Sequence, residues 1–434
     1  MSADSSANWW RPQGPVQARE RDVPEKSGSG LSYWALIGFT IILLLAPQEQ
    51  FAVLAPLRIA LLSVAVAVLA YVVNQLSRRL PLLEFSPDVV LALLLTGWAI
   101  LTIPFSYWPG GSVNFLTGNF LKAIICFLLL SHVITNFRQL WGISWCLVLC
   151  TIPLTLHTLR NYLAGTFMGG GERVQGYTSG LAQNPNDMAL MLNLILPVCI
   201  ALILGTRSSF LKLILGGIAM LIVVAVIATF SRAGFLTLVF IGICYAWLLR
   251  HRPQRVWIPI ILIMGTFALP LVPTTYFERL GTIVNIEEDQ TNSAQTRLAD
   301  MKVALDVALS KPIVGSGIAM SLLALNEARG EEWLDVHNVY LQLAVDMGLM
   351  GLLLYLLLLF QCLRVAGRAS KGRAGKPAEP RMVFLAEGLF VSLLAFALSA
   401  MFYPVAYNFY FFYFAGMAIA AGRIARGAAG MAQQ

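Results

Sequence analysis

Charge is scarce in this chain. Only 12% of its 434 residues are Asp, Glu, Lys or Arg, against 58% hydrophobic, whereas a soluble domain carries about a quarter charged residues. That deficit excludes an ordinary globular enzyme and points to a polytopic membrane protein. A cysteine framework is missing as well. Cys126, Cys146, Cys150, Cys199, Cys244 and Cys362 all lie in apolar stretches, and none forms a CxxC pair, so they read as small buried hydrophobes rather than disulfide or zinc ligands. No GxxxxGK[ST] phosphate loop and no DxD carboxylate pair occurs, which removes two common means of holding a nucleotide or its metal. The apolar runs also lack period-2 alternation, and in lipid a strand without partners leaves its backbone groups unpaired, so the runs are expected to be helices.

What is present is a series of about twelve apolar segments near bilayer length, at 31–46, 51–76, 87–105, 115–135, 140–160, 187–205, 210–230, 232–250, 255–271, 338–363, 383–403 and 407–424. Several contain a proline that membrane helices tolerate as a kink: Pro56, Pro104, Pro153, Pro197 and Pro259. Residues 1–30 are polar and match no cleavable signal pattern; they are expected to form a disordered cytoplasmic arm. The organisation expected is this arm, nine spans over 31–271, an outer loop over 272–337, and three spans with a cytoplasmic tail over 338–434. The fold class expected is all-α.

Loop charges set the orientation. With the N-terminus in the cytoplasm, Arg78, Arg79, Arg138, Arg207, Lys212, Arg250, Arg252 and Arg255 fall on one side. The dense run Arg364, Arg368, Lys371, Arg373, Lys376 and Arg381 falls there too, followed by Arg423 and Arg426. The opposite short loops, 47–50, 106–114 and 404–406, contain no Lys or Arg. This is the positive-inside asymmetry. It accounts for most of the net charge of +8 with no nucleic acid as partner, and puts both termini in the cytoplasm. The two longer connections, 161–186 and 272–337, then fall on the outer side with most of the reactive polar residues. Short basic cytoplasmic loops leave no room for a cytosolic nucleotide-sugar site, so the energy for any reaction is expected to arrive built into a substrate.

Within the larger outer loop, residues 296–310 place Leu298, Met301, Leu305 and Ala308 on one helical face, with Thr296 as a candidate cap and Pro312 beyond the end. The expectation is an amphipathic helix lying on the outer membrane surface, followed by a flexible turn at Gly315-Ser316-Gly317. Four outer-side features carry possible chemistry. Glu172-Arg173 precedes Gln183-Asn184-Pro185-Asn186-Asp187, Ser231-Arg232 sits at a tight turn, Arg297 opens the amphipathic helix, and His337-Asn338 opens a long apolar run. Guanidinium forks suit phosphate oxygens, and three of them neutralise a diphosphate; each arginine alone equally suits a helix cap or a lipid headgroup. A histidine at a helix N-terminus is disfavoured from charging, and a neutral imidazole is what a general base requires; the simpler role for His337 and Asn338 is capping that helix. Asn186 or Asp187 is expected to cap the helix after Pro185. Asp346, nine residues deeper than His337, is a candidate functional carboxylate or a structural partner for Lys122, and Gly348 and Gly351 are read as allowing close helix packing.

The ordered set Asn184-Pro185-Asn186-Asp187, Ser231-Arg232-Ala233-Gly234, Arg297 with its helix, Lys311-Pro312-Ile313-Val314-Gly315-Ser316-Gly317, and His337-Asn338-Val339-Tyr340-Leu341-Gln342 followed by Gly348-Leu349-Met350-Gly351 resembles the bacterial O-antigen ligases. Their wider superfamily includes O-antigen polymerases and protein O-oligosaccharyltransferases. The resemblance covers roughly residues 160–365. It implies a GT-C-like, metal-independent, inverting glycosyltransferase of the bacterial inner membrane, with no cofactor and a periplasmic active site. The implied donor is a glycan on undecaprenyl diphosphate, and the implied acceptor is a lipid A–core sugar hydroxyl in lipopolysaccharide biosynthesis. By the same resemblance Arg232 and Arg297, with Arg173 as a third cation, bind the diphosphate and His337 activates the acceptor; Asn338, Asn184, Asn186 and Asp187 support them. A polymerase or protein transferase shares this donor chemistry. A lipid-linked oligosaccharide flippase shares the span count, although no duplication relates the two halves and the polar residues collect at one face, unlike many transporters.

Overall fold

The computed structural model describes residues 30–168, 173–174, 176–177, 180–182, 184–253, 293–330, 335–371 and 379–431. The arm expected before residue 30 and the span expected at 255–271 lie outside these residues. Apart from a two-residue antiparallel pairing of Phe167–Met168 with Arg173–Val174, the regular structure described is helical. In chain order the principal helices are α1 (Gly30–Leu45), α2 (Ile59–Ser77), α3 (Pro87–Leu101), α4 (Leu121–Val133), α5 (Phe137–Leu163), α6 (Pro185–Gly205), α7 (Ser209–Ala228), α8 (Arg232–Leu249), α9 (Ser293–Ser310), α10 (Ser321–Arg329), α11 (Val339–Lys371), α12 (Pro380–Ser399) and α13 (Phe409–Met431).

Among the described residues, nine helical segments are long and apolar enough to cross a bilayer. They correspond to nine of the twelve expected spans. The helix at 31–46 is present but has only 16 residues, about 24 Å at 1.5 Å per residue, short of the hydrocarbon thickness. The segment expected at 407–424 overlaps α13, which is not one of the nine.

The bundle is built around α6. In its apolar stretch 83% of residues are buried, against 6% for the segment Val53–Ser77 that ends in α2, so α6 faces protein on all sides and α2 faces outward. A helix buried all round needs neighbours that come close and satisfy its exposed carbonyls. Gly388 of α12 provides the approach: a Cβ there would stand 2.7 Å from the Pro197 carbonyl and 2.8 Å from the Ala201 methyl. The carbonyls of Leu194 and Pro197 accept from the Ser392 hydroxyl at 2.7 Å and the Tyr245 hydroxyl at 2.9 Å. Small residues and interhelical hydroxyl bonds replace the hydrophobic drive that lipid cannot supply. Gly416 serves α4 and α13 in the same way against Phe127 and Leu130.

The bundle has two chemically different ends. At one, Arg252 forms a forked ion pair with Glu387, 2.8 Å from one carboxylate oxygen, and Arg423 pairs with Glu84 at 3.2 Å. The hydrogen bond to the Glu387 carboxylate raises the pKa of Arg252 above its ordinary value. At the other end lie the first turns of α6, α8 and α11, and the last turn of α12.

Candidate functional site

Three helix N-termini meet at this second end, each capped by a side chain of the motif that precedes it. Asn184 accepts from the Asn186 amide at 2.9 Å, and Pro185 occupies the first helical position, where its missing N–H costs nothing. The cap of α6 is therefore Asn184, not Asn186 or Asp187. Asn186 turns instead toward the next motif: its Oδ1 accepts from the Ser231 hydroxyl at 2.9 Å. Having given its one proton away, Ser231 accepts from the Gly234 amide at 3.1 Å and from the Tyr403 hydroxyl at 3.3 Å. Ser231 thus caps α8 while joining α6, α8 and the turn after α12. Asn338 caps α11, its Oδ1 accepting from the amides of Tyr340 and Leu341 at 2.9 and 3.1 Å.

The turn after α12 brings the α8 and α11 termini together. Thr237, on the second turn of α8, bonds Ser399 at 2.8 Å, and the Val339 amide donates to Ala400 at 2.7 Å. Arg232 and the His337-Asn338 pair therefore stand at the same end, on opposite approaches to residues 399–403. The positive ends of three helix dipoles lie here, with Arg232 on the first turn of one of them. Phe230, immediately before the Ser231 cap, has φ 56°, a left-handed conformation that costs a non-glycine residue roughly 1–2 kcal/mol. Strain of this kind concentrates at functional turns.

His337 is half-buried. Its Nδ1 lies 2.9 Å from the Asp335 carbonyl oxygen; a carbonyl only accepts, so Nδ1 carries the proton and Nε2 is the basic nitrogen of the neutral ring. Arg232 is half-buried at the first position of α8. Arg173 lies in the short pairing, where its neighbour Val174 packs on Phe230, so its backbone is tied to the turn that leads into Arg232. Arg297 lies on α9, one turn before Asp300, which forms a 2.9 Å ion pair with Arg329 of α10. The side chains of Arg173 and Arg297 are outside the described residues. Asp187 is half-buried on the first turn of α6.

The helix that bears Arg297 differs from expectation. It begins at Ser293, so Thr296 is inside it and not its cap. Its buried face is Asp300, Ala304 and Ala308, packed against Ala324, Leu325, Val336, Ala344 and Val345. Leu305, assigned to the apolar face with Leu298, Met301 and Ala308, is 48% exposed, and Leu309 is 58% exposed. Small residues win the inner face because α9 lies close against α10 and the first turns of α11; the larger leucines face outward.

The Lys311–Gly317 segment is the feature that sequence reading placed least well. It is not a flexible turn but a plug in a broken helix. At Gly348 the α11 backbone leaves helical geometry, with φ 69° and ψ −177°, a region essentially confined to glycine. The groups freed by the break are re-paired from outside the helix. Carbonyls of Val345 and Asp346 accept from the Ser316 and Gly317 amides at 2.8 Å, the Leu349 amide donates to Pro312 at 2.8 Å, and the Met347 carbonyl accepts from the Trp98 indole at 2.8 Å. Buried backbone groups demand such partners. Gly348 therefore serves a break, whereas close packing was expected of it. The atoms nearest to a Cβ at Gly351 would be those of Met347 in its own helix. The part of α11 beyond the break has 23 residues, 349–371, about 34 Å of helix, enough to cross a bilayer alone.

Asp346 sits at the centre of this joint, fully buried. Its carboxylate accepts from the Ser321 amide at 2.6 Å, capping α10 from another helix, and from the Tyr407 hydroxyl at 2.9 Å. Lys122 is exposed and forms no ion pair with it. The expected pairing is replaced because the α10 terminus offers orphan amides at close range. Asp346→Ala is expected to strand both donors at about 1–3 kcal/mol each and to lower the unfolding temperature in detergent, with Asp346→Asn falling between. An unfolding temperature for Asp346→Ala equal to that of the parent would contradict this role.

Tyr403 and Tyr407 were not singled out by sequence reading, since their partners lie 172 and 61 positions away; the only local signal was their place beside a short outer loop. Among the described residues, no group of three or more His, Cys, Asp or Glu side chains converges, and the six cysteines are free.

Residues 217–356 match the family model described as O-antigen ligase. That stretch is similar to the O-antigen ligase family. The matched region contains the Ser231-Arg232 cap, α9 with Arg297, the plug, the Gly348 break and His337-Asn338. The likeness supports a glycosyltransferase-like function of the O-antigen ligase or polymerase kind. No curated protein matches the chain.

Proposed function

We propose that this chain is an O-antigen ligase. It transfers a glycan from undecaprenyl diphosphate to a sugar hydroxyl of lipid A–core, at the periplasmic face of the inner membrane. The observation that carries the reading is the meeting of the Arg232 and His337 helix termini at the end of the bundle opposite the Arg252–Glu387 and Arg423–Glu84 pairs. Basic loops on the far side support the orientation in which this end faces the periplasm.

In the step proposed, the acceptor hydroxyl oxygen attacks the anomeric carbon of the donor sugar as the carbon–oxygen bond to the diphosphate breaks. The hydroxyl proton passes to His337 Nε2. The Nδ1–H bond to Asp335 holds the ring and favours the imidazolium that results. Undecaprenyl diphosphate leaves with the bond's electron pair, and Arg232, Arg297 and Arg173 with the three helix N-termini stabilise its charge. Guanidinium groups aimed at a developing anion perform this service without a metal. Attack opposite the leaving group inverts the anomeric centre.

Arg232→Ala is expected to lower transfer about 10²–10³-fold and to weaken retention of the lipid-linked donor by purified protein. Arg232→Lys should recover part of both, since the charge returns without the fork. Full donor retention and full transfer by Arg232→Ala would remove it from the donor site. Translocation of the donor with no glycan transfer would assign the chain to the flippase class.

A further inference from the structure

At the end of the bundle away from the proposed active site, a cavity of about 360 Å³ opens between the α6–α7 turn and the start of α12. Among the described residues, Arg207, Lys212 and Arg381 line it together with one carboxylate, Glu379. Three positive groups against one negative leave it cationic. Gly205 lies in its wall, where a Cβ would stand 2.6 Å from the Trp141 ring and 3.5 Å from the Arg381 stem. The floor includes Phe384, over whose ring lies the Arg252 guanidinium, 5.8 Å from the centroid and bound to Glu387. That cation is already neutralised by its partner, so it does not add to the charge of the cavity.

The helix ends add to the charge. Helix α12 begins here with Pro380, and among the described residues the Glu379 side chain does not cap it, so the positive end of its dipole points toward the cavity mouth. Beside the cavity, the first turns of α7 present Phe210 and Leu213, 70% and 74% exposed, on either side of Lys212. Helix α7 is long and apolar enough to cross a bilayer, and in that setting those side chains face acyl chains. A basic hollow at the membrane boundary that continues into an apolar, lipid-facing flank matches a molecule with an anionic head and hydrocarbon tails.

We propose that this cavity binds the phosphate headgroup of an anionic membrane lipid, with Arg207, Lys212 and Arg381 around the phosphate and the acyl chains along Phe210 and Leu213. The site is independent of the glycan-transfer reading, which concerns the other end of the bundle. Built geometry separates it from the general attraction of a basic membrane surface for acidic lipid. Arg364, Arg368 and Lys371 of α11 are exposed cations at the same end but outside the cavity, and they serve as a charge-matched control.

The test uses the full chain in phosphatidylcholine nanodiscs doped with a fluorescent phosphatidylglycerol, reading energy transfer from protein tryptophan to the probe. The triple variant Arg207→Gln, Lys212→Gln, Arg381→Gln is expected to lose probe binding about tenfold or more, and the α11 triple Arg364→Gln, Arg368→Gln, Lys371→Gln only slightly, with the unfolding temperature followed for both. If the cavity triple fails to fold, the exposed pair Arg207→Gln, Lys212→Gln gives the same reading. Equal losses in the cavity and control triples would overturn the proposal in favour of diffuse surface charge, and no loss in the cavity variant would overturn it outright. Inorganic phosphate that displaces the probe from the parent protein but not from the residual sites of the cavity triple would reassign the cavity to free phosphate.

Discussion

His337→Ala is expected to insert and fold normally yet to transfer glycan about 10²–10⁴-fold more slowly, the range over which a positioned general base contributes. The side chain stands ahead of the α11 cap and is not one of its hydrogen-bond acceptors; Asn338 performs that task. Removing the ring therefore takes away a proton acceptor and leaves the helix start intact. Donor retention should be unchanged, because the charge on the diphosphate is met by arginines and helix ends. Loss of transfer with donor retained is the signature of a residue that acts on the acceptor. His337→Gln keeps polarity without basicity and should be as slow as the alanine variant. Rapid transfer by either variant would place the base elsewhere.

Gly348→Ala is expected to be severe for a different reason. The backbone there, at φ 69° and ψ −177°, disfavours any side chain by about 1–3 kcal/mol. A Cβ would also collide with the Ile313 carbonyl and stand 2.8 Å from that of Pro312. Overpacking adds about 1–3 kcal/mol, so the joint between the plug and α11 should open or the protein should unfold at a much lower temperature. Gly216→Ala supplies the control, since a Cβ at that position in α7 meets nothing within 4 Å and alanine is the better helix former. Similar thermal behaviour of the two variants would mean the break is not held by the contacts described.

Much of this architecture is legible in one dimension. Hydropathy locates nine of the crossing helices, because length and apolarity alone satisfy a bilayer. The motifs Asn184-Pro185, Ser231-Arg232 and His337-Asn338 announce helix starts by local chemistry, and each supplies a cap. What one dimension hides is partnership. Asn184 rather than Asn186 caps α6 because Asn186 is drawn to Ser231, 45 residues away. Asp346 reads as a lone membrane carboxylate until the α10 terminus and Tyr407 are brought to it. Gly315 and Gly317 read as flexibility, yet both are held at positive φ against α11 and Ser106.

The plug also gives a physical link between the outer helices and the proposed base. Ser316 and Gly317 hold the carbonyls of Val345 and Asp346, Asp346 holds the α10 start, and Arg329 of α10 holds Asp300 on the helix that carries Arg297. A rigid seat for α9 against α11 is what a site shared between Arg297 and His337 requires, because misplacement by about 1 Å can cost a hundredfold in rate.

The most direct measurement of the central claim is glycan transfer by the purified full chain in liposomes. An undecaprenyl-diphosphate-linked glycan is the donor, with lipid A–core, a second donor lipid and a peptide offered as separate acceptors in the presence of a metal chelator. The account predicts glycosylated lipid A–core, undiminished by the chelator, with Arg232→Ala and His337→Ala both defective. Elongation of the second donor or modification of the peptide in place of lipid A–core would contradict the ligase assignment, and full transfer by both variants would contradict the site.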